Sequence, residues 1–304
     1  TALAGSLVVT SAFAGELTTT GAASMGLSNI TGTNDDGLGK NLSMGNQITF
    51  AGSGELDNGM TVSLSFTLDQ ADPAPSPFDG HSVSIGSDAL GTLKLSGQGG
   101  SSAQGAMDTT AAGDIWNQTL GLTGGPTAAA SGDNSLYYTL PNVLDGVAAT
   151  VSLSPGGANV AGASTHTSYG LVYTGVEGLT LKFGQGDSGA DGATIKSTTM
   201  FGSYAIGSFT VSVSNTDADK TGAANTELNS FQLAYTVSDN LSVTYGEETH
   251  DLTDNATDEE VTAIGVSYTT GGMTISANQY EAKGGANTAG ALTDKWALSA
   301  AFAF

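Results

Sequence analysis

The chain has 304 residues, with 29 acidic side chains against seven lysines and no arginine, giving a formal net charge of −22. That balance weighs against a nucleic-acid partner, which needs clustered basic residues, and the absence of cysteine excludes disulfide and thiolate-metal frameworks. With 44 glycines, six prolines and, past the N-terminus, no apolar run near the ~20 residues of a membrane helix, the composition points to a large all-β protein in which any membrane role falls to strands.

Residues Thr1 to Ala14 read as the end of a secretory signal, with Leu3, Leu7, Val8 and Val9 in its apolar part and Ala12-Phe13-Ala14 as the cleavage site. An apolar N-terminal strand or helix is the alternative. Gly15 would then open a single domain, residues 15–304. Its first alternating run places Leu17, Thr19, Gly21, Ala23, Met25 and Leu27 on one face, since successive side chains on a strand point to opposite sides. A polar loop, Ser28 to Asn41, leads to a second run, Leu42, Met44, Ile48 and Phe50. The turn Ser53 to Gly59, closing on Asn58-Gly59, reverses into a third, Met60 to Leu68. Residues Ala71 to Gly80, with Pro73, Pro75 and Pro77, form a stiff loop. Two short runs, His81 to Ser87 and Thr92 to Gln98, flank a tight turn, and then Gly99 to Asp133 shows no strand period. A structureless stretch of that length is usually functional.

Strands resume at Asn134 to Leu140 and Val147 to Ser154. They continue at about 165–175, 178–187, 194–205, 208–216, 226–237, 240–250, 259–270, 272–282 and 292–304. Longer loops are expected at Asp187 to Thr194, Asn215 to Asn225, Asp251 to Asp258 and Lys283 to Ala291. The final run alternates Trp296, Leu298, Ala300, Phe302 and Phe304 with smaller or polar residues. The total is about sixteen strands, with short and long connections in alternation, which is the rhythm of a closed antiparallel transmembrane barrel. The opposite faces are almost all Ser, Thr, Gly, Asn and Gln, the lining of a wet channel. A β-solenoid would show a fixed repeat, and a sandwich would need branched core strands on both faces.

Strand parity sends Lys94, Lys182 and Lys295 inward. Carboxylates gather in the expected outer loops, at Asp217 and Asp219 and at Asp251, Asp254, Asp258 and Glu259; no cofactor is required, but such oxygen-rich loops offer ligands for Ca²⁺. The alternative is a set of solvated acidic loops. His81, His166 and His250 are scattered and no nucleophile motif accompanies them, so no enzyme is expected.

The strand count, the long stretch after the close hairpin Val83 to Leu95, the signal remnant and the terminal Phe304 together resemble the general diffusion porins of Gram-negative bacteria, most closely the small alphaproteobacterial ones. The resemblance implies an outer-membrane homotrimer, surrounded by lipid and lipopolysaccharide, that passes small hydrophilic solutes. It implies that Gly99 to Asp133 folds inward as the third, constricting loop, which offers Asp108, Asp114, Trp116 and Asp133; Lys94, Lys182 and Lys295 join them as candidate constriction residues, on strands too scattered to form a cluster. It also implies that Trp296, Leu298, Phe302 and Phe304 are read by the barrel-insertion machinery. Where such porins set arginines against an acidic loop, this chain has none, and the excess of carboxylates leads us to expect cation preference. A substrate-selective channel and a structural outer-membrane protein are the alternatives.

Overall fold

In a computed structural model of the chain the described residues are 17–33, 39–69, 78–123, 125–130, 133–142, 144–156, 164–190, 193–253 and 257–304. The expected signal at 1–14, the Pro73 to Pro77 segment and Asp254 lie outside them. The strands are β1 (Thr18–Gly32), β2 (Gly39–Glu55), β3 (Thr61–Asp69), β4 (Phe78–Ser87), β5 (Gly91–Gln98), β6 (Ser135–Thr139), β7 (Val147–Ser154) and β8 (His166–Tyr173). They continue with β9 (Leu179–Ala190), β10 (Ala193–Ile206), β11 (Phe209–Lys220), β12 (Thr226–Ser238), β13 (Leu241–Leu252), β14 (Glu259–Thr270), β15 (Met273–Lys283) and β16 (Leu292–Ala303). Each pairs antiparallel with its neighbour in sequence, and β16 pairs with β1 to close a sixteen-stranded barrel. Closure leaves no strand edge unpaired, the condition for crossing lipid with strands.

The seam is closed at its end by Gly21 and Phe304, whose backbones exchange two hydrogen bonds of 2.6 and 3.0 Å. Register aligns the apolar rows across strands: Met25 opposes Met44 and Ala300, Leu27 opposes Leu42 and Leu298, and Phe50 stacks on Phe66 at 4.9 Å. These rows face outward and stay exposed, as at Leu42, Met44 and Phe304. For a soluble protein so broad an apolar surface would be a liability, whereas it suits contact with acyl chains. Near the short turns the outward row turns aromatic, with Tyr138, Tyr204, Phe209, Tyr235 and Tyr268, and the Phe209 and Tyr235 rings lie 4.7 Å apart. Such girdles sit at the headgroup level.

The strands outrun the apolar alternation. β9 and β10 remain paired up to Ala190 and Ala193, and β11 reaches Lys220, so the loops expected at Asp187 to Thr194 and Asn215 to Asn225 are largely strand. Likewise β2 continues through Glu55, leaving a tighter turn at 56–60 than expected. The reason is physical: above the lipid band, outward positions such as Asn215, Asp217 and Asp219 are polar, yet the backbone ladder still satisfies its own hydrogen bonds. Hydropathy marks the membrane, and the ladder runs past it.

Candidate functional site: the inner loop and the open wall

The buried core of this barrel lies inside it, where the described residues between Gly99 and Asn134 run against the inner wall. Gly99 takes a positive φ of 69° as the chain leaves β5. The first arm then docks on β7 and β8: the Ala103 N–H donates to Ser152 Oγ at 3.0 Å and the Gln104 N–H to Ser168 Oγ at 3.3 Å. Fully buried Gln104 staples both arms of the loop. Its Nε2 donates to Thr199 Oγ1 on β10 at 2.7 Å, and its Oε1 accepts the Ala129 N–H at 2.6 Å.

Farther along, the Ala111 and Ala112 N–H groups donate to Ser214 on β11 and Ser230 on β12, each at 2.8 Å, while Thr216 Oγ1 donates to the Thr109 carbonyl at 2.9 Å. Two carboxylates hold the far half. Glu248 of β13 accepts the Trp116 N–H at 2.8 Å, and Glu259 of β14 accepts the Thr123 N–H at 3.0 Å and its hydroxyl at 2.9 Å. Between these anchors Ala112, Ile115 and Leu120 pack on Val261, Ala263, Tyr280 and Ala282, the apolar cluster of the interior. A loop without its own ladder thus finds partners for its backbone on the wall, as buried amides require.

Glycines make room for it. A side chain at Gly170, Gly184 or Gly246 would strike Met107, Gln104 or Ala112 of the loop. The loop therefore lies flat along β7 to β14 and reaches β16, where Lys295 Nζ donates to the Gln118 carbonyl at 2.8 Å. Much of the inner face of β1 to β6 is left uncovered, although Ile30, Ser96 and Ser135 on it are buried. It presents Ser24, Ser43, Thr49, Ser63, Ser65, Ser84 and Thr139, a hydroxyl surface facing the loop across the lumen.

A closed antiparallel barrel with a long inner loop is a shape that comparison can place. The model of the Gram-negative porin family matches residues 1–304. The chain belongs to the Gram-negative porin family. Solved structures share the fold at low identity. The anion-selective porin from Comamonas acidovorans superposes with a TM-score of 0.73 at 14% identity over 95% of this chain and 99% of that one. Salmonella typhi OmpF, in complex with daunomycin, gives 0.73 at 13% over 95% and 98%. A mutant of the Rh. blastica porin gives 0.69 at 14% over 95% and 100%. A search of curated proteins gave no match. The family and fold make this an outer-membrane porin.

In the porin the predicted site residues separate. Asp108 pairs with Lys182, whose ammonium also lies 5.1 Å from the centre of the Phe201 ring. Asp114, at a φ of 57°, accepts the Thr110 hydroxyl at 2.6 Å and stays exposed beside Trp116, whose indole N–H reaches it at 3.4 Å. Asp133 is exposed on the return arm. Lys295 is half-buried under the loop, 5.9 Å from the Tyr280 ring centre. Lys94, on the uncovered wall, makes no ion pair among the described residues. Of the three inward lysines, only Lys182 is paired with a loop carboxylate among the described residues.

Among the described residues, Asp254 lying outside them, the calcium candidates do not converge. Asp217 and Asp219 face outward on β11, Asp251 and Asp258 lie at the rim, and the Glu259 carboxylate is occupied by Thr123. Among the described residues no three such groups converge to hold a metal ion. Sequence reasoning missed Gln104, Glu248 and the wall glycines. The signal for Glu248 was its parity, which set a carboxylate on the inner face in line with Gly246 and His250.

Proposed function

We propose that this porin is a passive, water-filled path for small hydrophilic solutes and ions, narrowed by residues 99–133 and biased toward cations. The observation that carries this reading is the asymmetry of the lumen: a loop fixed to one side by hydrogen bonds and an uncovered hydroxyl wall on the other. Solutes pass between them, meeting hydroxyls that exchange readily for water. Cation bias follows from an acidic chain whose loop carboxylates Asp114 and Asp133 are exposed without ion-pair partners among the described residues. The anion-selective Comamonas relative indicates that the barrel fold does not itself set the sign. In a potassium chloride gradient across a planar bilayer, the reversal potential is expected to favour potassium severalfold. A potential favouring chloride would overturn the bias.

A homotrimer is part of the same proposal, supported by the trimer form of the structurally similar Vibrio cholerae OmpT. So is recognition of the outward row Trp296, Leu298, Phe302 and Phe304 by the insertion machinery. Removing Phe304 deletes both closing bonds to Gly21. It is expected to lower sharply the heat-modifiable trimer recovered from outer membranes. Undiminished recovery would reduce Phe304 to an ordinary strand end.

A further inference from the structure

The lysine left over is set in a particular place. Lys94 lies on β5 directly opposite Tyr137 of β6, and both face a cavity of about 290 Å³ between the wall and the first arm of the loop. Its other polar lining is hydroxyl: Ser84, Thr92, Ser96, Ser101 and Thr139. Among the described residues no carboxylate lines it, although the chain carries 29 acidic side chains. The cavity is small beside pockets for drug-sized ligands, which run to about 300–1,000 Å³.

We propose that this cavity is a transit binding station for small hydroxylated monocarboxylates, sugar acids in chemical class. Lys94 would take the carboxylate, the ring of hydroxyls would exchange hydrogen bonds with the solute's own, and Tyr137 would supply an apolar face. A lone exposed ammonium holds an anion weakly, so hydroxyls must contribute and a bare carboxylate should not suffice. One lysine within a chain of charge −22 suits a monoanion better than a phosphate dianion, which would ask for several cationic groups or a bidentate arginine. A binding step inside a diffusion pore is compatible with flux when it is shallow enough for the solute to leave. The proposal rests on the channel reading above.

Planar-bilayer recordings in potassium chloride with potassium gluconate added to one side test it. Gluconate is expected to interrupt the current saturably, half-maximal on the order of millimolar, while acetate, with charge but no polyol, and glucose, with hydroxyls but no charge, leave it uninterrupted at the same concentrations. Lys94→Met, with Lys94→Gln as a second variant, should raise the half-saturating concentration by about tenfold or abolish saturation. Ser84→Ala with Thr139→Val should move gluconate toward acetate while Lys94 remains. Equal interruption by gluconate and acetate, or a Lys94→Met pore that behaves as the parent, would overturn the station with the channel intact. Absence of any conductance step would instead overturn the channel reading itself. Unheated migration on gels establishes that each variant has folded.

Discussion

Replacing Glu248 and Glu259 together by alanine is expected to add flicker to the single-channel current, lower its mean and slow larger sugars in liposome swelling. The two carboxylates bind one half of the inner loop: Glu248 takes the Trp116 amide at 2.8 Å, and Glu259 takes both polar groups of Thr123 and the Asn287 amide at 3.3 Å. Hydrogen bonds to charged groups contribute roughly 1.5–3 kcal/mol each, and stranding a buried donor costs about 1–3 kcal/mol. Burying the carboxylates is itself costly, but that cost is offset only while their donors remain in place. With both removed, the loop from Trp116 to Thr123 loses its two charged acceptors and keeps its apolar contacts, the Lys295 bond to Gln118, the Ala286 N–H bond to the Gly121 carbonyl at 2.9 Å and the Asn287 side-chain bond to the Thr123 hydroxyl at 3.0 Å, while Gln104 still staples the first arm. The far half should therefore swing into the lumen and back. Glu248→Gln keeps an acceptor for Trp116 and should conduct much as the parent does. A doubly substituted pore with the parent's conductance and sugar cut-off would show that the loop is held by packing alone.

The barrel was legible in the sequence because lipid enforces a strict alternation on its outer face. Met25, Met44, Leu64 and Leu298 could be assigned to that face from parity alone, and all of them are exposed there. The extended ends of β9 to β12 were not legible, since polar outward residues such as Asp217 carry no hydropathy signal. The inner face was read only in part. Ser152, Ser168, Ser214 and Ser230 look in sequence like the lining of a wet channel, and in the folded chain they are buried beneath the loop, accepting its amides. Ser63, Ser65 and Ser84 belong to the same residue class and line the uncovered wall. Which serines face water and which face the loop depends on where residues 99–134 lie, and strand periodicity holds no record of that. The glycines do hold one. Gly170, Gly184 and Gly246 interrupt inner rows that could otherwise carry any small polar residue, and their positions trace the loop's path across β8, β9 and β13.

Gly184→Leu should act in the same direction but as a steady loss, lowering conductance without added flicker and slowing the largest permeating solutes most. Gly184 stands on β9 directly beneath the first arm, and a Cβ there would come within 2.7 Å of Met107 Cγ and 2.8 Å of Gln104 Cα. Neither side yields easily. The strand is paired with Gly170 and Thr199 on its two flanks, and Gln104 is tied to Thr199 and Ala129 by bonds of 2.7 and 2.6 Å. Met107 can change rotamer, but the Gln104 backbone cannot, so the arm must lift toward the lumen. Forcing extra carbons into a packed site costs typically 1–3 kcal/mol, a range the closed ladder of the barrel can absorb without unfolding. The arm that lifts also borders the Lys94 cavity through Ser101 and Ala106, so the same variant should weaken gluconate interruption along with total current. Adding Gln104→Ala cuts the tie to Thr199 and lets the arm slide, which should restore part of the lost conductance. If either Gly184→Leu or the Glu248/Glu259 pair instead raised conductance, the height of the loop above the wall would not be what sets the size of the passage.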